Sequence, residues 1–256
     1  MYEIVFSPTG GTKKVADLLC GGIAAKCEIV DLCDRKREQE SRAFAEEDVC
    51  LFAVPCFGGR VPELAAQRIR RMQGNHAKAI IVVVIGNRAY DDALLELKDL
   101  TEEAGFIPVA AVCGNAEHSI MRQFGSGRPD AQDVTELDTY ASRIKELLKQ
   151  EKYGELQVPG NRPYKKYSGL PMKPSASSQC TKCGKCAKEC PAGAIVEEHP
   201  DETDKDKCIT CMRCVAVCPA GARALNKTML GAAGLAMKKA CSGRKKNELY
   251  LAKQED

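Results

Sequence analysis

The chain has 256 residues, 44% of them hydrophobic, and a net charge of +3, so it is long enough for one large domain or two smaller ones. No apolar run is long enough to cross a bilayer, and the first residues, MYEIVF, lack the basic and apolar regions of a secretion signal. We therefore expect a cytoplasmic protein without a membrane span, whose 15 cysteines stay reduced.

Strands and helices are predicted to alternate through residues 1–150. Five apolar runs have the composition of strands, some of them buried on both faces: 2–6, 28–32, 49–55, 77–87 and 106–115. After the first run the apolar residues recur at helical spacing, which predicts a helix there. Further helices are predicted over 91–105 and 130–150. This alternation predicts an α/β fold with a doubly wound, five-stranded parallel sheet.

Ligands of such sheets bind beyond the carboxyl ends of the strands, so the loops after strands one, three and four are informative. The first loop offers hydroxyls and glycine N–H groups at a helix start: Ser7, Thr9, Gly10, Gly11 and Thr12. Such groups favour a phosphate, although neither a Walker A loop nor a GxGxxG turn is present. A simple capped turn is the alternative.

The second and third loops each place an aromatic residue near glycine. They contain Pro55, Phe57, Gly58 and Gly59, and then Gly86, Asn87, Arg88, Tyr90 and Asp91. Glycine allows close approach of backbone to a flat ligand, while an ordinary turn and a helix cap are the alternatives. Because all three loops lie at one mouth of the sheet, together they favour a flat, phosphorylated ligand.

Two residues near this mouth allow two interpretations each. His118 is suited to donate a proton or a hydrogen bond to a ligand, and a structural histidine is the alternative. Cys56 has no second cysteine in CxxC spacing, so we interpret it as a packing residue instead of a redox thiol.

Residues 151–178 are rich in Pro, Gly, Ser and Lys and are predicted to form a linker. The segment from Cys180 to Pro219 then contains the pattern C-x2-C-x2-C-x3-C-P twice, 28 positions apart. Zinc sites usually pair two C-x-x-C knuckles across a longer gap, and disulfides need an oxidising compartment. The spacing is typical of two [4Fe-4S] clusters.

In this motif the fourth cysteine of each half binds the other half's cluster. The rule assigns Cys180, Cys183, Cys186 and Cys218 to the first cluster and Cys190, Cys208, Cys211 and Cys214 to the second. Residues 226–256 follow and begin with helical spacing, so we predict a helical tail that packs back on another domain.

Charge is distributed unevenly between the two parts of the chain. Residues 1–150 hold 19 basic and 23 acidic residues, a net charge of −4, and residues 151–256 carry +7. A basic surface can attract an acidic partner, and a solvated surface without a partner is the alternative. No aromatic–basic interleaving indicates nucleic acid.

The first loop matches the flavodoxin pattern [ST]-x-T-G-x-T at Ser7, Thr9, Gly10 and Thr12, and the PCFGGRVP and GNRAYDD loops look like that fold's two flavin-flanking loops. The whole chain resembles the flavodoxin–ferredoxin fusions called ferrodoxins. The resemblance implies a flavodoxin-like FMN domain (1–150), a linker (151–178), a small α+β ferredoxin-like domain (179–225) and a C-terminal helical tail (226–256). It implies FMN with its ring near Phe57 and Tyr90, and it says little about a substrate.

We therefore expect a protein that passes electrons between FMN and two [4Fe-4S] clusters, with a redox protein or a small molecule as partner and with a homodimer as one option. Whether it is an electron carrier or an oxidoreductase is left open. The first alternative is a flavin-dependent reductase of a small substrate, fed through the ferredoxin domain. A second alternative is a sensor module that contacts a partner through its basic tail.

Overall fold

The computed structural model describes residues 1–37 and 41–253. Its main sheet has five parallel strands: β1 (Tyr2–Val5), β2 (Glu28–Asp31), β3 (Val49–Pro55), β4 (Lys78–Ile85) and β5 (Ile107–Asn115). They lie in the order β2-β1-β3-β4-β5, which is the flavodoxin-like order of doubly wound sheets. The predicted α/β fold is confirmed.

Four helices cover the two faces of this sheet: α1 (Gly11–Ile23), α2 (Glu63–Ile69), α3 (Ala93–Glu103) and α4 (Ala131–Leu147). Helices α1 and α4 bury their apolar stripes in one core, and α2 and α3 contribute to the other. Gly22 lets α1 approach α4 closely, because a Cβ there would lie 2.6 Å from Cβ of Ala141. Helix α2 was not predicted, since it is only seven residues long and about two turns of apolar spacing are a weak signal.

The central strands are buried on both faces, as their unbroken apolar composition predicts. In β3 the residues Cys50 to Val54 are fully buried, and in β4 all but the first residue are buried. Because each strand pairs in parallel with its neighbours, the carboxyl ends of β1, β3 and β4 meet at one edge of the sheet. The loops 7–12, 55–62 and 86–92 lie at that edge.

The C-terminal segment differs from the helical tail predicted over 226–256. A helix, α7, extends over Lys227–Met237, but Glu248–Leu251 forms a strand, β8, which pairs antiparallel with β5. The physical reason is the open hydrogen-bonding edge of β5, which a short strand from any part of the chain can cover. Within residues 1–37 and 41–253, the main sheet therefore has six strands, the sixth supplied by Glu248–Leu251.

The cysteine-rich segment forms a small separate lobe. A two-stranded ribbon of β6 (Ser175–Ala176) and β7 (Arg223–Ala224) joins its ends, and two single-turn helices, α5 (Lys185–Lys188) and α6 (Arg213–Ala216), lie between them. We call residues 175–224 the cluster lobe. The lobe's own apolar core is small. Its stability should therefore depend on its contacts with the large domain and on the groups that its cysteines bind.

Candidate functional site

The loop after β1 wraps the N-terminal end of helix α1. Gly10 has a φ of 90°, a left-handed conformation that favours glycine, and Ser7 Oγ accepts a hydrogen bond from the N–H of Lys13 at 2.9 Å. The N–H groups of Gly11 and Thr12 precede the first intrahelical hydrogen bonds and have no backbone acceptor among the described residues. This end of the site is suited to an anion.

The loop after β3 is a tight turn with two left-handed glycines. Gly58 and Gly59 have φ values of 63° and 94°, and the N–H and C=O groups of Phe57 and Arg60 close the turn with hydrogen bonds of 2.9 and 3.1 Å. The guanidinium of Arg60 binds both carboxylate oxygens of Glu96 at 2.7 Å. This bidentate pair fixes the turn against helix α3.

Some residues of the loop after β4 line a cavity, and others bind neighbouring segments of the chain. Gly86 lies against His118, and Arg88 lines the cavity described below. Burial alone would raise the pKa of the Asp91 carboxyl, but ion pairs with Lys165 and Arg88 outweigh it and hold that pKa below its usual range. Asp91 therefore links the loop after β4 to the segment that contains Lys165.

Three predicted ligand residues of this loop, Asn87, Tyr90 and Asp91, do not line the cavity. The side chain of Asn87 donates to the carbonyls of Cys241 and Gly243, at 2.7 and 2.8 Å. The hydroxyl of Tyr90 lies 2.7 Å from Glu248 and 3.0 Å from the hydroxyl of Tyr250. Both side chains are held by the C-terminal segment, whose position the local sequence did not indicate.

Two adjoining cavities follow the carboxyl edge of the sheet. The smaller, of about 50 Å³, begins at Thr9, Gly11 and Thr12, and we call it the loop cavity. The larger, of about 250 Å³, extends from Phe57 and Gly58 toward the cluster lobe, and we call it the interdomain cavity. Their shared wall consists of Cys56, Phe57, Ile85, Gly86, His118 and Ser119. Together they form one cleft, suited to an anion at one end and lined mainly by apolar groups at the other.

His118 lies in the shared wall, and its hydrogen bonds determine which ring nitrogen carries the proton. Its Nδ1 accepts hydrogen bonds from the N–H groups of Ile120 and Met121 at 3.1 and 3.2 Å, so Nδ1 carries no proton. Burial and the nearby charge of Arg88 lower the pKa of the imidazole. The ring is therefore neutral at neutral pH and its Nε2 is a hydrogen-bond donor.

Cys56 lies in the same wall but carries no charge. Burial raises the pKa of its thiol to about 12, and Sγ lies 3.6 Å from the carbonyl oxygen of Tyr90. A protonated thiol is a poor nucleophile, so these surroundings suit packing better than redox chemistry.

The two halves of the cluster lobe have the same backbone geometry. The left-handed residues Lys182, Gly184 and Gly193 have φ values of 54°, 72° and 60°, and those 28 positions later, Thr210, Met212 and Gly221, have 54°, 66° and 59°. In each half one thiol also accepts a backbone N–H at 3.3 Å, Cys190 from Ala194 and Cys218 from Ala222. The sequence repeat is thus a structural repeat.

Four cysteines from both halves line a single cavity in the lobe: Cys190, Cys208, Cys211 and Cys214. Among the described residues, no three His, Cys, Asp or Glu side chains converge as the ligands of a metal ion would. The four thiols border a space, and its other walls, which include Ile195, are mainly apolar. Such a donor set, with an N–H group directed at one sulfur, fits an iron–sulfur cluster.

The remaining predicted cluster cysteines differ in exposure. Cys186 is buried, Cys180 and Cys218 are half-buried, and Cys183 is exposed. None of these four lines either cavity of the cleft. Of the four, Cys183 is the one most accessible to solvent.

The cluster lobe is joined to the large domain by arginine contacts that the sequence did not indicate. Arg213, between two predicted cluster ligands, donates to the carbonyl of Pro8 at 3.1 Å. Arg68 of helix α2 is buried and donates to the carbonyl of Pro191 at 3.0 Å. These bonds connect the loop after β1 and the α2 surface directly to the cysteine motifs.

The lobe also contributes to the interdomain cavity. Ile209 and Thr210, the two residues between Cys208 and Cys211, line it together with Phe57 and Gly58. The cavity at the edge of the sheet and the four-cysteine cavity are therefore separated by a single loop, 208–211.

Comparison with known proteins supports the two-part architecture. Residues 179–223 match the model of the 4Fe-4S dicluster domain. The chain thus combines a sheet of flavodoxin-like strand order with a segment that matches a 4Fe-4S dicluster domain. A 4Fe-4S dicluster domain is typical of electron-transfer proteins. The strand order assigns the fold of the first part.

Similar solved structures include a flavodoxin from Streptococcus pneumonia TIGR4, 15% identical, which covers 57% of this chain and 97% of its own with a TM-score of 0.39. Oxidised Flavodoxin 1 from Bacillus cereus is 16% identical over 59% and 98% of the two chains, with a TM-score of 0.41. An NADH:FMN oxidoreductase in its apo form is 13% identical over 59% and 91%, with a TM-score of 0.44. No curated protein sequence matches the chain. Within the described residues, none of the helices is both long and apolar enough to span a membrane.

Proposed function

We propose that this protein transfers electrons between FMN, bound in the cleft at the sheet edge, and two [4Fe-4S] clusters in the cluster lobe. A flavin exchanges electrons singly or in pairs and a cubane cluster exchanges one, so the two cofactors together connect pair chemistry with single-electron transfer. The observation that carries the proposal is that the 208–211 loop lines the same cavity as Phe57 and Gly58.

The residues of the cleft fit FMN in polarity and arrangement. The N–H groups of Gly11 and Thr12, with the hydroxyls of Ser7 and Thr9, are suited to hold the phosphate at the start of α1. Phe57 and the left-handed Gly58 supply an apolar surface at the carboxyl edge of the sheet, where ligands of such folds bind.

For the clusters we propose the interleaved ligand sets that the spacing predicts. Cys190, Cys208, Cys211 and Cys214 would hold the cluster nearer to the cleft, and this set is supported by the cavity that the four share. Cys180, Cys183, Cys186 and Cys218 would hold the outer cluster, near the exposed Cys183. Electrons would then leave or enter at the solvent side, through a redox protein partner.

Within this function the chain itself orients groups and excludes water. Leu170, Met172 and Ile209 cover the interdomain cavity with apolar side chains. The Nε2–H of His118 is available to donate a hydrogen bond to a ligand in the cleft. Arg68 and Arg213 hold the lobe against the large domain.

A second candidate is the reduction of a small substrate at the same cleft. It is favoured by His118 and Arg88, which place a neutral donor and a cation on the cavity wall. It is disfavoured by the cluster lobe, because Ile209 and Thr210 of the lobe line the same cavity and leave less room for a substrate. A cytoplasmic location, the absence of a nucleic-acid partner and a homodimer stay predictions.

The first experiment determines cofactor content on anaerobically purified protein. We expect one released FMN and about eight iron atoms per chain, as two cubane clusters require, and dithionite reduction should produce EPR signals of reduced clusters. Iron at this level without any flavin would contradict the FMN proposal.

Matched cysteine variants test the ligand sets. Cys183→Ser and Cys214→Ser should each reduce the iron to about four atoms per chain and leave the flavin content unchanged. Cys56→Ser is the control, because Cys56 is outside both proposed sets and should keep the full iron content. A Cys56→Ser variant that loses a cluster would overturn the assignment.

A further inference from the structure

The linker forms part of the cavity wall. Residues 165–172, which we call the strap, cross the mouth of the interdomain cavity and contribute Lys165, Tyr167, Leu170 and Met172 to its lining. At one end the N–H of Lys165 donates to Asp92 at 2.6 Å, and its carbonyl accepts from Arg60 at 2.8 Å. The strap is thus fixed to the turn after β3.

The other end of the strap is fixed to the cluster lobe. The hydroxyl of Thr210 donates to the carbonyl of Met172 at 3.0 Å, and Lys173 donates to the carbonyl of Cys208 at 2.6 Å. The strap therefore links the turn after β3 with the loop that carries two proposed cluster ligands.

Tyr167 is in direct contact with the turn at Gly58. A Cβ on Gly58 would lie 2.2 Å from Cδ2 of the tyrosine ring, so the ring occupies the space that any side chain there would need. About a third of Tyr167 remains exposed, and burial of the rest raises the pKa of its hydroxyl. By contrast, Tyr90 is held by Glu248 and Tyr250 and does not line the cavity.

From this arrangement we infer that Tyr167, and not Tyr90, is the second aromatic wall of the flavin site beside Phe57, and that the strap couples FMN binding to docking of the cluster lobe. The inference rests on the proposed FMN site and adds a binding residue that lies outside the flavodoxin-like domain. An aromatic contact with a flat ring is favourable only while the strap stays in place, so ligand binding should also stabilise the strap.

The test is an FMN titration of flavin-stripped, cluster-loaded full-length protein, followed by quenching of flavin fluorescence. Tyr167→Ala should weaken FMN binding about tenfold, equal to about 1.4 kcal/mol, and Tyr167→Phe should stay within about twofold of wild type. The matched control is Tyr90→Ala, whose affinity should also stay within about twofold once circular dichroism shows that it is folded.

Limited trypsin digestion provides a second readout that needs no activity. Lys165 and Lys166 lie in the exposed part of the strap, and FMN should protect the bonds after them in wild type but not in Tyr167→Ala. If wild type binds FMN and Tyr167→Ala binds it equally well, or if Tyr90→Ala loses as much affinity, the inference is overturned. Wild type that binds no FMN would instead overturn the proposed function.

Discussion

Asp133 is the residue that joins the C-terminal segment to helix α4. Its carboxylate is fully buried and accepts hydrogen bonds from Arg128 Nε at 2.9 Å, from Arg244 Nη2 at 2.9 Å and from Asn247 Nδ2 at 2.9 Å. Burial would raise the pKa of this carboxyl, but the bonds from Arg128 and its other donors outweigh it and lower the pKa. The negative charge of Asp133 thus balances the positive charge of the buried Arg128.

Replacing Asp133 with Asn should therefore destabilise the protein. The buried guanidinium of Arg128 would lose its charge partner, which should lower the free energy of unfolding at pH 7 by about 3 kcal/mol in urea titrations. Because the folded-state pKa is depressed, the contribution is present above the unfolded value of about 4 and is lost as pH falls through the folded value. The difference between variant and wild type should hence shrink on acidification.

Asp138→Asn is the control for this prediction, since Asp138 is an exposed carboxylate on the same helix. It should change the free energy of unfolding by no more than about 0.5 kcal/mol. Equal effects of the two substitutions, or a difference that does not depend on pH, would show that Asp133 does not act through its charge.

At the residue scale, the cysteine repeat could be predicted and the position of Tyr167 in the cavity wall could not. The cysteines follow one another at fixed short spacings, so the local chain determines their grouping. Tyr90 follows a strand as a ring-stacking residue would, yet Glu248 and Tyr250, about 160 positions away, hold its hydroxyl. Tyr167 is in a linker without periodicity, where no local signal marked it as part of a site.

Strand β8 is an element that the sequence analysis missed, as it missed helix α2. It pairs Leu249 with Val112 and Leu251 with Ala110, and so covers the edge of β5. Four residues with two leucines are too short a pattern to distinguish from the end of a helix. By contrast, the buried runs of β3 and β4 were recognisable because they are long and apolar throughout.

Truncation after Gly243 should therefore destabilise the large domain. The truncated chain loses two partly buried leucines and the contacts of Arg244 and Asn247, which we expect to lower the free energy of unfolding by about 3 kcal/mol. An open β5 edge should also promote self-association, detectable by sedimentation. A lower unfolding temperature of the truncated chain would confirm the loss of stability.

Tyr250→Phe is the milder counterpart of the truncation. It keeps the strand and removes only the hydroxyl that bonds Tyr90 and Glu248, so a loss of about 1 kcal/mol without self-association is expected. If truncation leaves the unfolding temperature unchanged, β8 does not contribute to the stability of the sheet.

At the scale of the whole molecule, the relation between the two parts could not be predicted from the sequence. Each part has its own signal, alternating strands and helices in one and the cysteine repeat in the other. Their arrangement depends on single contacts between distant residues, such as Arg213 with Pro8 and Arg68 with Pro191. These contacts place the 208–211 loop on the cleft, and the proposed electron path follows from that placement.

The central claim is that flavin and clusters exchange electrons within one chain, through the cluster nearer to the cleft. The measurement is laser-flash reduction of bound FMN, with its reoxidation followed together with cluster reduction. We predict a first-order rate that does not change over about a tenfold dilution, because the reaction is intramolecular. It should persist in Cys183→Ser and disappear in Cys214→Ser. A rate that rises with protein concentration, or that survives in Cys214→Ser, would contradict this account.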